Sequence, residues 1–281
     1  MRGRSLAACI AVVALWIVVA CLDVSSPVTG VASITSVILP TPSIVVHDQM
    51  RDTLGVVQRL NVYAFAPNGD TIPQSDIIVR YTVLDSTHNL FVDSITGFAR
   101  SDSTFPTPLA KVVAVVTPAK GKGVIQTVQV PVPIVPKPDS GHRSDDTTFV
   151  FNPTGTPSDS LNLNLVSPPL NVTVYSTTKD TTVQSYIVSY QIVRAPASNG
   201  NGPTVVFYNP SGNDSTIAVT NTNGVATRQL RIRPGAIAST ALLTGAATDT
   251  INVFVRVLYH GKPIPIAKDS LFIVPVRAQI F

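Results

Sequence analysis

Glutamate is absent from this chain: all 16 acidic residues among its 281 are aspartate. The acidic residue that favours helices is missing, and the one that favours turns is kept. Cysteine is nearly absent as well. Cys9 and Cys21 are the only two, both near the N-terminus. Everything after residue 21 therefore folds without a disulfide, a thiolate nucleophile or a cysteine metal ligand. The single tryptophan, Trp16, lies in the same short segment. Strong charge of either sign is missing too. Setting aside Arg2 and Arg4 leaves 18 basic residues against 16 aspartates, and no basic cluster has the size of a nucleic-acid footprint. The densest, Arg228, Arg231 and Arg233, reads as a solvated strand face and its following turn.

The motifs that carry chemistry are also missing. His47, His88, His142 and His260 are scattered, and no HExxH, CxxC or HxH spacing brings two ligands together. There is no GxSxG and no glycine-rich phosphate loop. A carboxylate pair of the glycosidase kind would have to come from aspartates such as Asp85 and Asp93, which read more simply as turn residues. Asp145-Asp146 offers few of the six to eight oxygens that calcium takes, and reads as a solvated linker. The expectation is a protein with no catalytic residues, cofactor, metal site, small-molecule substrate or nucleic-acid partner. It is not an enzyme.

What is present begins at the N-terminus. Arg2 and Arg4 precede an apolar run from Leu6 to Ala20, followed by Cys21 and a polar stretch from Asp23. That order is the order of a secretory signal. Val18-Val19-Ala20-Cys21 resembles the lipobox of bacterial lipoproteins. The resemblance implies removal of residues 1–20, a diacylglycerol on the Cys21 thiol and an acyl chain on its new amino group. Leu22, standing where aspartate favours inner-membrane retention, implies sorting to the outer membrane. The alternative is an uncleaved anchor, because the run from Leu6 to Leu22 is 17 residues long and a spanning helix needs about 17–25. The arginines before it would hold the N-terminus in the cytoplasm. Either way the body, residues 22–281, is expected outside the cytoplasm. With a bacterial signal upstream, the glycosylation patterns at Asn171 and Asn213 read as coincidental.

The body is rich in Val, Ile, Thr, Ser, Asn and Pro, the residues of strands and turns. No ten-residue window shows helical periodicity free of breakers, so the fold class is all-β. Candidate strands include Val56–Ala66, Ile77–Leu84, Lys111–Val116, Val124–Val135, Leu170–Tyr175, Tyr186–Val193, Val225–Ile232 and Ile251–Leu258. In the first of these, Leu60, Val62 and Ala64 alternate with polar neighbours, as a half-buried strand requires. Pro131 and Pro133 mark the Val124–Val135 strand as an edge. The stretch Lys137–Asp146 has no apolar residue except proline and reads as a domain boundary. The halves also repeat. Leu60-Asn61-Val62 recurs as Leu170-Asn171-Val172, Asp70-Thr71 as Asp180-Thr181 and, with one residue deleted, Tyr81 as Tyr190. A period near 110 residues suits one sandwich of about 100 residues.

The segments VASITSVILPTPSIVV, LNVYAFAPNGDTIP, IIVRYTVLDS and, above all, NTNGVATRQLRI (Asn221–Ile232) resemble the bacterial Ig-like domains of invasin and intimin. The resemblance implies two tandem Ig-like β-sandwiches after an N-terminal signal or anchor helix. Residues 1–20 are the signal or anchor, 21–30 a tether, 31–136 the first domain, 137–147 a linker and 148–281 the second domain. The core tryptophan common in such domains is lacking, and Tyr81 and Tyr190 are expected in its place. Such modules serve adhesion or structural contact at the cell envelope, with the membrane and a protein as partners. The alternative is a periplasmic accessory subunit docked on a larger membrane complex, with a carbohydrate-binding module less favoured.

Overall fold

A computed structural model describes residues 31, 33–84, 89–102, 110–119, 125–153, 165–208 and 215–279. The signal or anchor, the tether, Cys21, Asp85, His88 and Asn213 lie outside these residues. Described residues of the first half form β1 (Ser33–Ile38), β2 (Ile44–Val45), β3 (Asn61–Phe65), β4 (Thr71–Ile72), β5 (Ile77–Val83), β6 (Leu90–Val92), β7 (Ala99–Ser101), β8 (Lys111–Pro118), β9 (Gln126–Pro131) and β10 (Ile134–Val135). Those of the second form β11 (Ser140–Arg143), β12 (Phe149–Phe151), β13 (Leu170–Ser176), β14 (Thr181–Thr182), β15 (Ile187–Arg194), β16 (Val205–Tyr208), β17 (Ile217–Val219) and β18 (Val225–Ile232). They continue with β19 (Thr248–Arg256), β20 (Leu258–Tyr259), β21 (Lys262–Pro263), β22 (Ile266–Ala267) and β23 (Leu271–Ala278). One four-residue helix, α1 (Thr240–Leu243), is capped by the Ser239 side chain, which accepts from the Leu242 N–H.

The second half shows its architecture plainly. One sheet runs β16-β18-β13-β11, with β22 added in parallel beside β11, and the other runs β12-β23-β19-β15-β17. Labelled in chain order from A, with the first strand split between the two sheets, these are the A-B-E-D and G-F-C sheets of an immunoglobulin-type sandwich, with β22 and β17 as additional edge strands. In the first half β5-β8-β9 forms the C-F-G sheet, and β1-β3-β4 lies opposite. The β6–β7 hairpin joins the latter side through the Arg59↔Phe98 bridge. The chain is thus all-β, two Ig-like sandwiches in tandem.

Each sandwich has its own core, because alternate side chains of facing strands point inward. Val62 and Ala64 from β3 meet Tyr81, Val112, Ala114 and Val116 in the first. Leu170, Val172 and Val174 from β13 meet Val188, Tyr190, Ile251, Val253, Phe272 and Val274 in the second. Full burial of one such large side chain contributes roughly 1.5–3 kcal/mol. Tyr81 and Tyr190 occupy corresponding core positions, as expected. The Tyr81 hydroxyl donates to the Leu60 carbonyl at 3.0 Å. The Tyr190 hydroxyl lies 3.0 Å from the Ala226 carbonyl and 3.4 Å from that of Leu170. Residues 60 and 170 are equivalent in the repeat, so one device is used twice. Burial pushes the pKa of both phenols up.

The prolines mark the expected edge. β9 ends its sheet at Pro131, and after Pro133 the chain resumes as β10 in parallel with β2, where the Ile44 N–H donates to the Pro133 carbonyl. The linker assignment needs correction. Residues 137–147 contain β11, which pairs antiparallel with β13 from Ser140↔Tyr175 to Arg143↔Val172. Its lack of apolar residues misleads because main-chain hydrogen bonds hold it and its inward side chain is an arginine. Arg143 is only 6 % exposed, stacks on the Phe272 ring at 5.1 Å and donates to Asp146 at 2.9 Å and to the Lys268 carbonyl at 3.1 Å. Gly141 lets β22 approach, since a Cβ there would stand 3.3 Å from Ile266 Cγ1.

Candidate functional site

Among the described residues, the groups read as candidate chemistry in the sequence are not brought together. Asp93 is engaged in its own turn, its Oδ1 accepting from the N–H groups of Ile95 and Thr96 and from the Thr96 hydroxyl at 2.7–3.0 Å. These bonds, first those from Thr96, hold its carboxyl below the usual aspartate range. Asp145 pairs with Lys268, and Asp146 accepts from Arg143 and from the Ile273 N–H at 3.0 Å. Cationic and main-chain donors therefore occupy the carboxylates that a calcium ion would need. His142 is exposed on β11 and His47 is exposed at positive φ. Among the described residues no three His, Cys, Asp or Glu side chains form a metal-binding group. Asn171 lies on β13, its side-chain oxygen accepting from the Thr227 hydroxyl at 2.7 Å. No described helix is long and apolar enough to cross a membrane.

Among the described histidines, His260 is paired with a carboxylate, at the seam between the sandwiches. From the first come β2, the loop Val46–Arg51 and the tight turn Asp52–Val56. From the second come Ser185–Ser189 and the β20–β21 hairpin. His260 Nε2 lies 2.5 Å from Asp48 Oδ2, while Arg51 Nε holds Asp48 Oδ1 at 3.2 Å. The His260 ring stacks on Tyr259 at 4.1 Å and 23°, and Lys137 Nζ lies over the Tyr259 ring at 5.3 Å. The Ser43 hydroxyl donates to the Ser185 carbonyl at 2.7 Å, and the Tyr186 hydroxyl to that of Leu258 at 2.7 Å.

Two glycines set the closeness of this contact. A Cβ on Gly55 would fall 2.2 Å from Gly261 N, and one on Gly261 would fall 2.5 Å from the Leu54 carbonyl oxygen. The apolar packing also crosses the seam, since Val45 and Val135, both first-domain residues, belong to the second core. The cavity at the seam encloses about 50 Å³, room for a few waters. The residues around it join the two sandwiches.

Two shallower grooves lie elsewhere. One, of about 400 Å³, is lined by Gln49, Val57, Phe91, Phe98 and Arg100, with the Arg100 guanidinium 4.8 Å above the Phe91 ring. The other, of about 480 Å³, is lined by Leu165, Asn201, Arg231, Arg233 and Pro234. Sequence reasoning missed the seam and Arg143.

No protein-family model matches the sequence, and no curated protein matches it either. Among solved structures, the chain is similar to the Yersinia pseudotuberculosis adhesin InvE, at 13 % identity and a TM-score of 0.34 over 88 % of this chain and 59 % of that one. It is likewise similar to the D0–D1 domain of intimin, at 16 % identity and 0.25 over 88 % and 99 %. A third is the S-layer protein SbsC, at 11 % identity and 0.26 over 88 % and 27 %. This chain thus corresponds to about three-fifths of the InvE chain. The fold assignment rests on the strand order above, not on these scores.

Proposed function

We propose that this is a membrane-anchored, non-enzymatic envelope protein that uses two joined Ig-like sandwiches for surface adhesion or structural contact. Cys21 is the lipid attachment point, after cleavage of residues 1–20. The observation that carries the reading is the combination of a lipobox-like Val18–Cys21 with a seam that buries Val45 and Val135 and leaves only about 50 Å³ open. Such a joint favours a body that reaches and contacts as one piece. Stable lipid attachment needs a second chain or signal, which a triacylated cysteine supplies.

The test is the intact mass of the protein taken from membranes, alongside a Cys21→Ala variant. The expected mass corresponds to Cys21–Phe281 plus acyl chains, and the variant is released from the membrane. A mass that includes residues 1–20, with the variant still membrane-bound, replaces the lipid with a spanning anchor. The accessory-subunit reading is favoured by the exposed Phe91 and Phe98 on the first sandwich. Protease treatment of intact cells separates the two, since a surface protein is cut and a periplasmic one is protected.

A further inference from the structure

The chain contains four Asn-Gly pairs, at residues 68–69, 199–200, 201–202 and 223–224. In such a pair the main-chain nitrogen of glycine can attack the asparagine side-chain carbonyl, since no Cβ on the glycine blocks the approach. The new N–Cγ bond closes a five-membered imide, and the side-chain amide leaves as ammonia with the proton from the glycine nitrogen. Water then opens the imide at either carbonyl, giving aspartate or isoaspartate. The reaction needs a glycine N–H that is not held elsewhere and a side-chain amide free to turn toward it.

Three of the four pairs lack those conditions. The Gly69 and Gly224 N–H groups donate to the Ala66 and Asn221 carbonyls, both at 2.9 Å, as part of their hairpin turns. Gly224 is also packed against Thr182 and Val174, and the Asn68 amide is tied to Asp70 at 2.7 Å. At Asn199 both side-chain atoms are engaged, Oδ1 by the Asn201 N–H and Nδ2 by the Gly235 carbonyl, each at 3.0 Å. The Gly200 N–H donates to the Ser198 hydroxyl at 3.1 Å.

Asn201-Gly202 differs in its hydrogen bonding. Both residues are exposed, and no hydrogen bond among the described residues engages the Asn201 side chain or the Gly202 N–H. Gly202 stands at φ +101° with open space around it. We infer that Asn201 is a site of spontaneous deamidation, selected among the four pairs by the hydrogen bonding of the fold. The product places a carboxylate in the groove that also carries Arg231 and Arg233. Ageing of the protein thereby adds one negative charge beside these two arginines.

The experiment is timed incubation of the purified full-length protein in mildly alkaline buffer, which assists loss of the glycine N–H proton. Fragment-level mass spectrometry then locates each NH2-to-OH conversion. In the native protein Asn201 is expected to convert roughly tenfold faster than Asn68, Asn199 or Asn223, the scale set by one lost hydrogen bond. In denaturant the rates converge. An Asn201→Gln variant, whose ring closure would need six members, shows no conversion at that position over the same period. The inference fails if Asn68 or Asn223 converts as fast as Asn201 in the native protein. It fails equally if native Asn201 stays intact while the denatured chain converts.

Discussion

A buried phenol hydroxyl that ends on a main-chain carbonyl fills core volume and also satisfies an acceptor that water cannot reach. Tyr190→Phe keeps the ring and removes the donor to Ala226 and Leu170. The expected loss is about 1–2 kcal/mol in denaturant unfolding, with a comparable loss for Tyr81→Phe in the first domain. The turn glycines divide by their surroundings. Gly224 sits at φ +73°, where an added Cβ would approach Thr182 Cβ to 2.5 Å, while Gly69 at +88° faces open space. Gly224→Ala should therefore destabilise by about 2 kcal/mol or more, and Gly69→Ala by about 1 kcal/mol, the cost of left-handed backbone alone. The two unfolding midpoints should differ accordingly. The tyrosines were legible in the sequence because the repeat aligned them and tryptophan was missing. Arg143 was not, since a charged residue inside a polar stretch gives no sign that its stem will lie on Phe272.

Strands followed closely from alternation and turn residues, while the short polar elements did not. β11 is held by hydrogen bonds that every sequence can make, so composition could not reveal it. Arg143→Ala tests its role, because the change removes donors to Asp146 and the Lys268 carbonyl and the contact with Phe272. Asp146 remains partly solvated, so the expected cost is about 2–3 kcal/mol, below that of a fully buried pair. Turns carry the acid sensitivity. Asp93 has its folded pKa lowered, first by the Thr96 N–H and then by the Thr96 hydroxyl and the Ile95 N–H. A lowered carboxylate contributes stability that is full above its unfolded value of about 3.9. That contribution is lost as pH falls through the lower, folded value. Asn221 makes a similar turn with a neutral side chain, accepting from the Asn223 and Val225 N–H groups. Asp93→Asn should therefore retain the turn and flatten the decline of melting temperature on the acid side of about pH 4.

At the scale of the whole molecule, the sequence showed two sandwiches but not how they meet. The seam joins residues more than two hundred positions apart, such as Asp48 and His260, and neither carries a local pattern. Its closeness depends on two glycines with no room for a side chain. Gly261→Val should force the β20–β21 hairpin away from Leu54, lengthening the molecule or broadening its angle in small-angle scattering. Both cores should remain folded by circular dichroism. Unchanged scattering would show that the hairpin contact does not set the angle.

The parallel pairings β2–β10 and β12–β23 have a consequence for a chain held at one end and pulled from the other. In each sandwich the entering and leaving strands lie side by side and point the same way, so tension slides them past each other. Their hydrogen bonds then share the load instead of opening one at a time. The first sandwich has two residue pairs in this clamp and the second has three, Phe149↔Val276 to Phe151↔Ala278. The sandwich nearer the N-terminus should therefore yield first under stretching, leaving the outer one folded at the end of a lengthened leash.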